Sequence, residues 1–511
     1  YDRFHKNADS IYILYRNDKN KLDAATCRLL ASALKADLPE VVNATAFTPL
    51  PEPFKAYVEY QNQGFEENIA MAEPQFFDLF SFEFKEGDPR SAFQDPNSII
   101  ITERMAQKYF GDENALGESM ALTLIGQKKI LKVTGILKNL PRNSHIRRDF
   151  FAPIEFLKTL GIDWDSWTSQ TVNTYIQTQG EIDVSQLAKK ILECKQHYYN
   201  EENLSYGLVP LTRVHLHANH IAFFTATGDI KYVYIFSAIA GIILLIACMN
   251  YTNLSNALAL KRTKEIGIQK VVGARRIHLM RQYLGETFFL TLIALGCALL
   301  FVELLLPMLN QISGKFLSVS FLNPQFILIL LLTTLATAGI SGLYPALFMS
   351  ALQPIKVLKG RFFIRENGIN LKKGLIVFQF SLSIVIIIST IIVLNQMNFI
   401  RDANLGYDKE NIVCLKVKGD VSEQYNAFKN KLLENPSILA VSRSEPLDAN
   451  ELGETEDVHW LGRNEKFKTW VLHVDYNFAD VYKIDMESGR FYSNQFPTDP
   501  TSAYVLNEAA V

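Results

Sequence analysis

The sequence predicts an α-helical membrane bundle, with four transmembrane helices in this chain, joined to α+β extracytoplasmic domains. Three observations predict it. Four long apolar runs crowd residues 233–394. Both flanks, 1–230 and 396–511, are mixed and polar, with helix and strand patterns interleaved. Lys and Arg gather in two of the three loops between the runs and avoid the third. The net charge of −2 over 511 residues excludes a globally basic nucleic-acid binder. The mean hydropathy of +0.05 averages two unlike parts.

The apolar runs are Val233–Asn256, Thr287–Leu306, Phe326–Leu347 and Leu375–Leu394. Each reaches the roughly 20 residues needed to cross a bilayer, a length that buried helices of soluble proteins seldom reach four times in one chain. Orientation follows from the short loops. Lys261, Arg262, Lys264, Lys270, Arg275, Arg276 and Arg281 follow the first run, and Lys356, Lys359, Arg361, Arg365, Lys372 and Lys373 precede the fourth. The loop 307–323 holds only Lys315. Positive charge stays inside, so the two basic loops are cytoplasmic and both polar flanks lie outside. An outside segment that opens on Tyr1 predicts an anchor or export signal upstream.

In the first flank, Ala24–Leu38, Glu103–Phe110 and Val184–Tyr198 have helical spacing. Ser98–Thr102, Ile130–Leu137 and Thr174–Gln179 read as strands, and Asn139–His145 is turn-rich. The cysteines make no framework: Cys27 with Cys194 could pair in an oxidising compartment, and inert thiols fit equally well.

An internal repeat links the flanks. Phe76-Phe-Asp-Leu-Phe-Ser-Phe-Glu-Phe-Lys-Glu-Gly87 aligns with Phe478-Ala-Asp-Val-Tyr-Lys-Ile-Asp-Met-Glu-Ser-Gly489, and Ser98–Ala106 aligns with Ala503–Val511. The second copy follows a membrane helix. By symmetry the first should too, and further helices are expected after the second.

Within the first basic loop, Lys261–Val272 forms a short amphipathic helix with Ile266, Ile268, Val271 and Val272 as its apolar residues, capped by Gly273. Such a helix suits docking into a partner's groove, and positive-inside anchoring on anionic lipid explains the charge equally well. In His215-Leu-His217-Ala-Asn-His220 the alternate histidines on a strand would face one way and could bind zinc, but no nearby Cys or Asp completes a metal site. Glu286 and Glu303 fall near the ends of the second run, where water is close. Ser237-x-x-x-Gly241 and Ala338-x-x-x-Gly342 allow close helix packing, and Pro345 should kink the third helix. No phosphate-cradling Gly-x-x-x-x-Gly-Lys-Ser/Thr occurs, nor any Gly-x-Ser-x-Gly, so no catalytic residues are assigned.

Asn250-Tyr-Thr-Asn-Leu-Ser-Asn256, Lys261–Ala274, Gly285-Glu286, Tyr344-Pro-Ala346 and Pro354–Gly360 together resemble the FtsX/MacB-type permeases of ABC transporters. Val133-Thr-Gly-Ile136 and Pro141-Arg-Asn-Ser-His145 resemble that family's MacB-like periplasmic core domain, more loosely. The duplicated eight-helix form is similar to permeases of the Bacteroidota. The resemblance divides the chain into a first periplasmic core domain (1–230), an FtsX-like three-helix permease domain (231–360), a cytoplasmic linker with the fourth helix (361–395) and a truncated second core domain (396–511).

It implies a multi-pass protein of the bacterial inner membrane with large periplasmic domains. It implies a non-catalytic subunit whose partner, a cytoplasmic ABC ATPase dimer, binds ATP and Mg on a separate chain. It also implies Lys264, Glu265, Ile266, Gly267, Lys270 and Gly273 as the ATPase-coupling loop, with Gln269 where the family often has Arg. Other implied partners are membrane lipid and a periplasmic or outer-membrane protein. The expected output is efflux or extraction of a substrate by mechanotransmission. A regulator of a periplasmic cell-wall hydrolase and a peptide sensor are the alternatives.

Overall fold

The structure, a computed structural model, describes residues 1–510 apart from 19–20, 51–54, 62, 181, 200–203, 223–227, 262, 315–316, 320, 352–365, 404–405, 409, 416–423, 446–452 and 460–465. Two compact units divide the chain: Tyr1–Ile230 with Asn404–Val511, and Lys231–Ala403.

In the first flank fourteen strands form one mixed sheet. They are β1 (Ile11–Asp18), β2 (Lys21–Asp23), β3 (Ala25–Thr26), β4 (Val41–Pro49), β5 (Ala56–Tyr60), β6 (Gln63–Glu67), β7 (Ile69–Ala72), β8 (Phe84–Gly87), β9 (Ser98–Thr102), β10 (Ser119–Leu124), β11 (Gln127–Leu137), β12 (Phe150–Pro153), β13 (Val172–Thr178) and β14 (Leu204–Pro210). The main path runs β14-β1-β13-β4-β7-β12-β9-β11-β10-β5-β6. The pairs β9–β11 and β7–β12 are parallel.

Alternation divides the side chains between two faces. On β9, Ile99 and Ile101 join one core and Ile100 the other. Helices α1 (Leu29–Asp37), α3 (Glu103–Phe110) and α5 (Val184–Tyr198) bury residues in the first core. The second core is aromatic and centres on α2 (Phe76–Leu79). Phe76 stacks on Phe47 with centroids 4.9 Å apart and meets Phe80 at 4.8 Å. Each fully buried ring contributes about 1.5–3 kcal/mol by leaving water.

Two sequence expectations shift. Ala24–Leu38 does not begin as helix. Ala25 and Thr26 pair with β13, and Thr26 Oγ1 lies 2.7 Å from Thr174 Oγ1, so the helix waits until Leu29. The His-x-His segment is not a strand but helix α6 (Leu211–His217). Cys27 and Cys194 are separate buried thiols, and burial with nearby Asp37 pushes the Cys194 thiol up to about 11.

A buried polar cluster closes the second core. Asp2, at φ +58°, places Oδ1 2.9 Å from His145 Nδ1 and accepts the His145 backbone N–H at 2.9 Å. His145 Nε2 lies 2.9 Å from the Tyr175 hydroxyl. His5 Nδ1 accepts the Ser81 N–H at 3.1 Å, and burial drops the His5 ring to about 4 against the pull of Asp2.

The second flank repeats part of this geometry. In the first, the Glu73 N–H donates to Ala46 O at 3.2 Å and the Phe76 N–H to Glu73 O at 3.0 Å. In the second, the Asp475 N–H donates to Arg443 O at 2.9 Å and the Phe478 N–H to Asp475 O at 3.3 Å. Phe47 pairs antiparallel with Ala72, and Ser444 bridges Val474 in the same sense. Each carboxylate is also gripped from the helix before the strand. Arg28, beside α1, reaches Glu73 at 3.4 Å, and Tyr425 donates to Asp475 at 2.9 Å. Gly87 at φ +89° and Gly489 at φ +81° end the aligned blocks. The second flank also carries a hairpin of β15 (Gly453–His459) and β16 (Lys466–Val471).

Among the described residues four helices are long and apolar enough to cross a membrane. The spans are Ile230–Ser255, Arg276–Ser313, Pro324–Leu347 and Ile376–Asp402. They belong to α7 (Ile230–Lys261), α9 (Arg276–Ser313), α10 (Pro324–Ala351) and α11 (Glu366–Asp402), with α8 (Thr263–Val271) in the first basic loop. Lys315, Lys356, Lys359, Arg361, Arg365 and the stretch 354–360 lie outside the described residues.

Candidate functional site

The first basic loop folds as a helix and a tight turn. The Gly273 N–H donates to Lys270 O at 3.1 Å and the Ala274 N–H to Gln269 O at 2.9 Å. These are the two bonds of a Schellman ending, which satisfy carbonyls the helix cannot. Gly273 sits at φ +101°, where a side chain would be strained. Arg275 then turns extended and α9 begins.

The helical repeat sorts the loop into two faces. Ile266 is 3% exposed, Gly267 is buried and Lys270 is half-buried, all toward the bundle. Glu265, Ile268, Gln269, Val271 and Val272 are exposed, Val272 at 83%. Ile266 thus leaves the apolar set expected together, and Ile268, Val271 and Val272 remain as an outward ridge. Gly273 is exposed at the turn. Lys264 lies on the helix, with its side chain, like Arg262, outside the described residues.

Lys270 Nζ donates to the backbone oxygen of Ser350 at 2.7 Å. Ser350 is buried near the described end of α10, and the residue four places on is Pro354, which has no N–H to give to its carbonyl. Burial, and then Arg276, lower the Lys270 ammonium from its usual range.

A second tie lies deeper. Pro345 is inside α10 and has no N–H, so the carbonyl four residues earlier, at Ser341, loses its helical donor. Thr252 Oγ1 of α7 lies 3.2 Å from that oxygen and 2.8 Å from its own Cys248 O. Nearby, Tyr251 OH and Thr287 Oγ1 are 3.4 Å apart, joining α7 to α9. Gly342 packs so closely on α9 that a Cβ there would meet Thr287 Oγ1 at 3.0 Å. The Ala338-x-x-x-Gly342 pair is therefore a real packing face, with Ala338 buried. At Gly241 a Cβ would meet nothing within 4 Å. Sequence reasoning missed Thr252, Ser341 and Ser350. The signal for Ser341 was available, since Pro345 marks the orphaned carbonyl by position.

Glu286 and Glu303 are both exposed on α9. No group of three His, Cys, Asp or Glu able to hold a metal occurs among the described residues.

Two family models match: a MacB-like periplasmic core domain over residues 2–193 and an FtsX-like permease C-terminal domain over 237–354. The chain belongs to the FtsX/MacB-type ABC transporter permeases. Together the matches cover more than half of it, and the four spans make it a multi-pass inner-membrane protein with a large periplasmic domain.

Among curated relatives, the ABC transporter permease YknZ of Bacillus subtilis is 27% identical over 199 residues, 38% of this chain and 45% of that one. The macrolide export ATP-binding/permease protein MacB of Neisseria meningitidis is 23% identical over 246 residues, 46% of this chain and 34% of that one. The chain thus spans less than half the length of these relatives. The permease YvrN of Bacillus subtilis is 25% identical over 56% of this chain and 68% of its own. Of solved structures, the periplasmic region of MacB from Actinobacillus actinomycetemcomitans covers 40% of this chain and 91% of its own at 12% identity and TM-score 0.32. The extracellular domain of YknZ covers 39% of this chain and 99% of its own at 16% identity and TM-score 0.30.

Proposed function

We propose that this permease is the membrane subunit of an ABC transporter whose ATPase is a separate cytoplasmic chain holding ATP and Mg. Closure of the ATPase dimer presses on the first basic loop, and the helices pass the displacement to the periplasmic domains as a rigid-body shift that expels or extracts a substrate. The observation that carries this reading is the two-faced α8. One face is seated on the bundle, and the other presents Ile268, Val271 and Val272 with Glu265 and Gln269 beside them. An apolar ridge with a polar flank on a short helix is the form that fits a partner's groove. Lys264, Glu265, Ile266, Gly267, Lys270 and Gly273 make up the coupling loop in this reading, Glu265 on its outer face and Gly273 at its turn. We also assign 396–511 as a second copy of the periplasmic core domain, on the shared hydrogen bonds at Glu73 and Asp475.

The test is association in detergent with the ABC ATPase that co-purifies from the native membrane, followed by reconstitution. Ile268→Asp with Val272→Asp should weaken association by at least about tenfold, since burying an unpaired carboxylate costs more than about 1.4 kcal/mol. Unchanged association would remove α8 as the docking element.

A further inference from the structure

Lys270, in the first basic loop, reaches inward to the third membrane helix. Its ammonium donates to Ser350 O, 2.7 Å away, at the cytoplasmic end of α10. Ile266 and Gly267 bury beside it on the same face of α8. Higher in α10, the Ser341 carbonyl orphaned by Pro345 lies 3.2 Å from the Thr252 hydroxyl of α7. The third helix is therefore held at two carbonyls that it cannot satisfy itself, one by α7 and one by α8.

We propose that Lys270 is a positioning residue: it fastens the coupling helix to the end of α10, so that a push on α8 moves α10. This rests on the permease reading for the source of the push, but not for the tie itself. The physical case is that a charge-assisted hydrogen bond is short, directional and about twice as strong as a neutral one. An oil-like contact at this position could slide, whereas a donor on a carbonyl transmits both push and pull. Arg can replace such a donor. Met fills the same space and cannot.

The experiment uses the full chain in lipid nanodiscs. Hydrogen exchange at the amides of 266–272 should accelerate about tenfold in Lys270→Met, as α8 opens locally, and stay within about twofold of wild type in Lys270→Arg. With the co-purified ATPase added, Lys270→Met should lose less in association than in stimulation. Its stimulation of ATP hydrolysis should fall at least about fivefold, and Lys270→Arg should restore that stimulation. Simple misfolding would take association and stimulation down together. Unchanged exchange in Lys270→Met would overturn the tie. Lost association with normal exchange would overturn the positioning role and place Lys270 on the docking surface. A wild-type chain that binds no ABC ATPase, yet shows the exchange difference, would sink the permease reading and leave the tie standing.

Discussion

The two polar flanks hold the same junction and differ in what surrounds it. Glu73 and Asp475 each donate a backbone N–H to an earlier carbonyl, lead into a short aromatic helix (Phe76–Leu79 or Phe478–Tyr482) and take a side-chain partner from the start of an earlier helix, Arg28 just before α1 and Tyr425 opening Tyr425–Leu433. In the first flank the next aligned segment, Ser98–Thr102, is a fully buried strand between β11 and β12. In the second, its counterpart 503–507 has no strand assigned, with Tyr504 83% and Leu506 59% exposed. The junction is built from contacts within each flank, so it forms in both. The buried strand of the first flank is held by β11 and β12, which pair with it on either side.

The sharpest way to break the comparison is one substitution made twice. At Gly87→Ala the new Cβ meets the Thr134 backbone oxygen at 2.6 Å as well as a positive φ, and should cost about 4 kcal/mol. At Gly489→Ala nothing lies within 4 Å, so only the positive φ remains, about 1 kcal/mol. Urea midpoints separate the flanks when read from Trp164 and Trp167 in one variant set, and from Trp460 and Trp470 in another. Equal losses would mean that the junctions are equally packed.

Acid should distinguish the flanks next. The His5 ring is held near 4 in the fold against about 6.5 unfolded. The folded pKa is the lower one, so the unfolded chain takes up the proton first. The stability that neutral His5 brings is present above pH 6.5 and is lost as pH falls toward 4, by as much as about 3 kcal/mol. His5→Gln should flatten that slope in the first flank and leave the second unaltered, as followed by urea midpoints between pH 7 and 4.

The smallest contrast is at the carboxylates themselves. Glu73→Ala removes the acceptor for the Ala46 N–H and a partner of half-buried Arg28, at about 2–3 kcal/mol. Arg28 keeps Glu155 and Asp165, which limits the loss. Asp475→Ala removes bonds from Ser442, Tyr425 and the Asn477 N–H without stranding an arginine, at about 1–2 kcal/mol. A larger loss at Asp475 would show that the second flank depends on its junction more than the first.

By itself the sequence determined the four spans, the mixed character of the first flank, helices 103–110 and 184–198, and the Gly273 turn. Each follows from something local: transfer of apolar side chains from water, a 3.6-residue repeat, or one backbone angle. Tertiary structure decided the rest. The periodicity of 24–38 placed a helix correctly but began it too early, and the alternation of the histidines gave the wrong element. Pairing with β13 extends residues 25–26, and the histidines fall in a helix, a choice that two-residue spacing alone does not settle. Which face of α8 meets the bundle was likewise illegible, because Lys270 and Glu265 are equally polar on paper. The choice belongs to the Ser350 carbonyl, eighty residues along the chain and 2.7 Å from the ammonium.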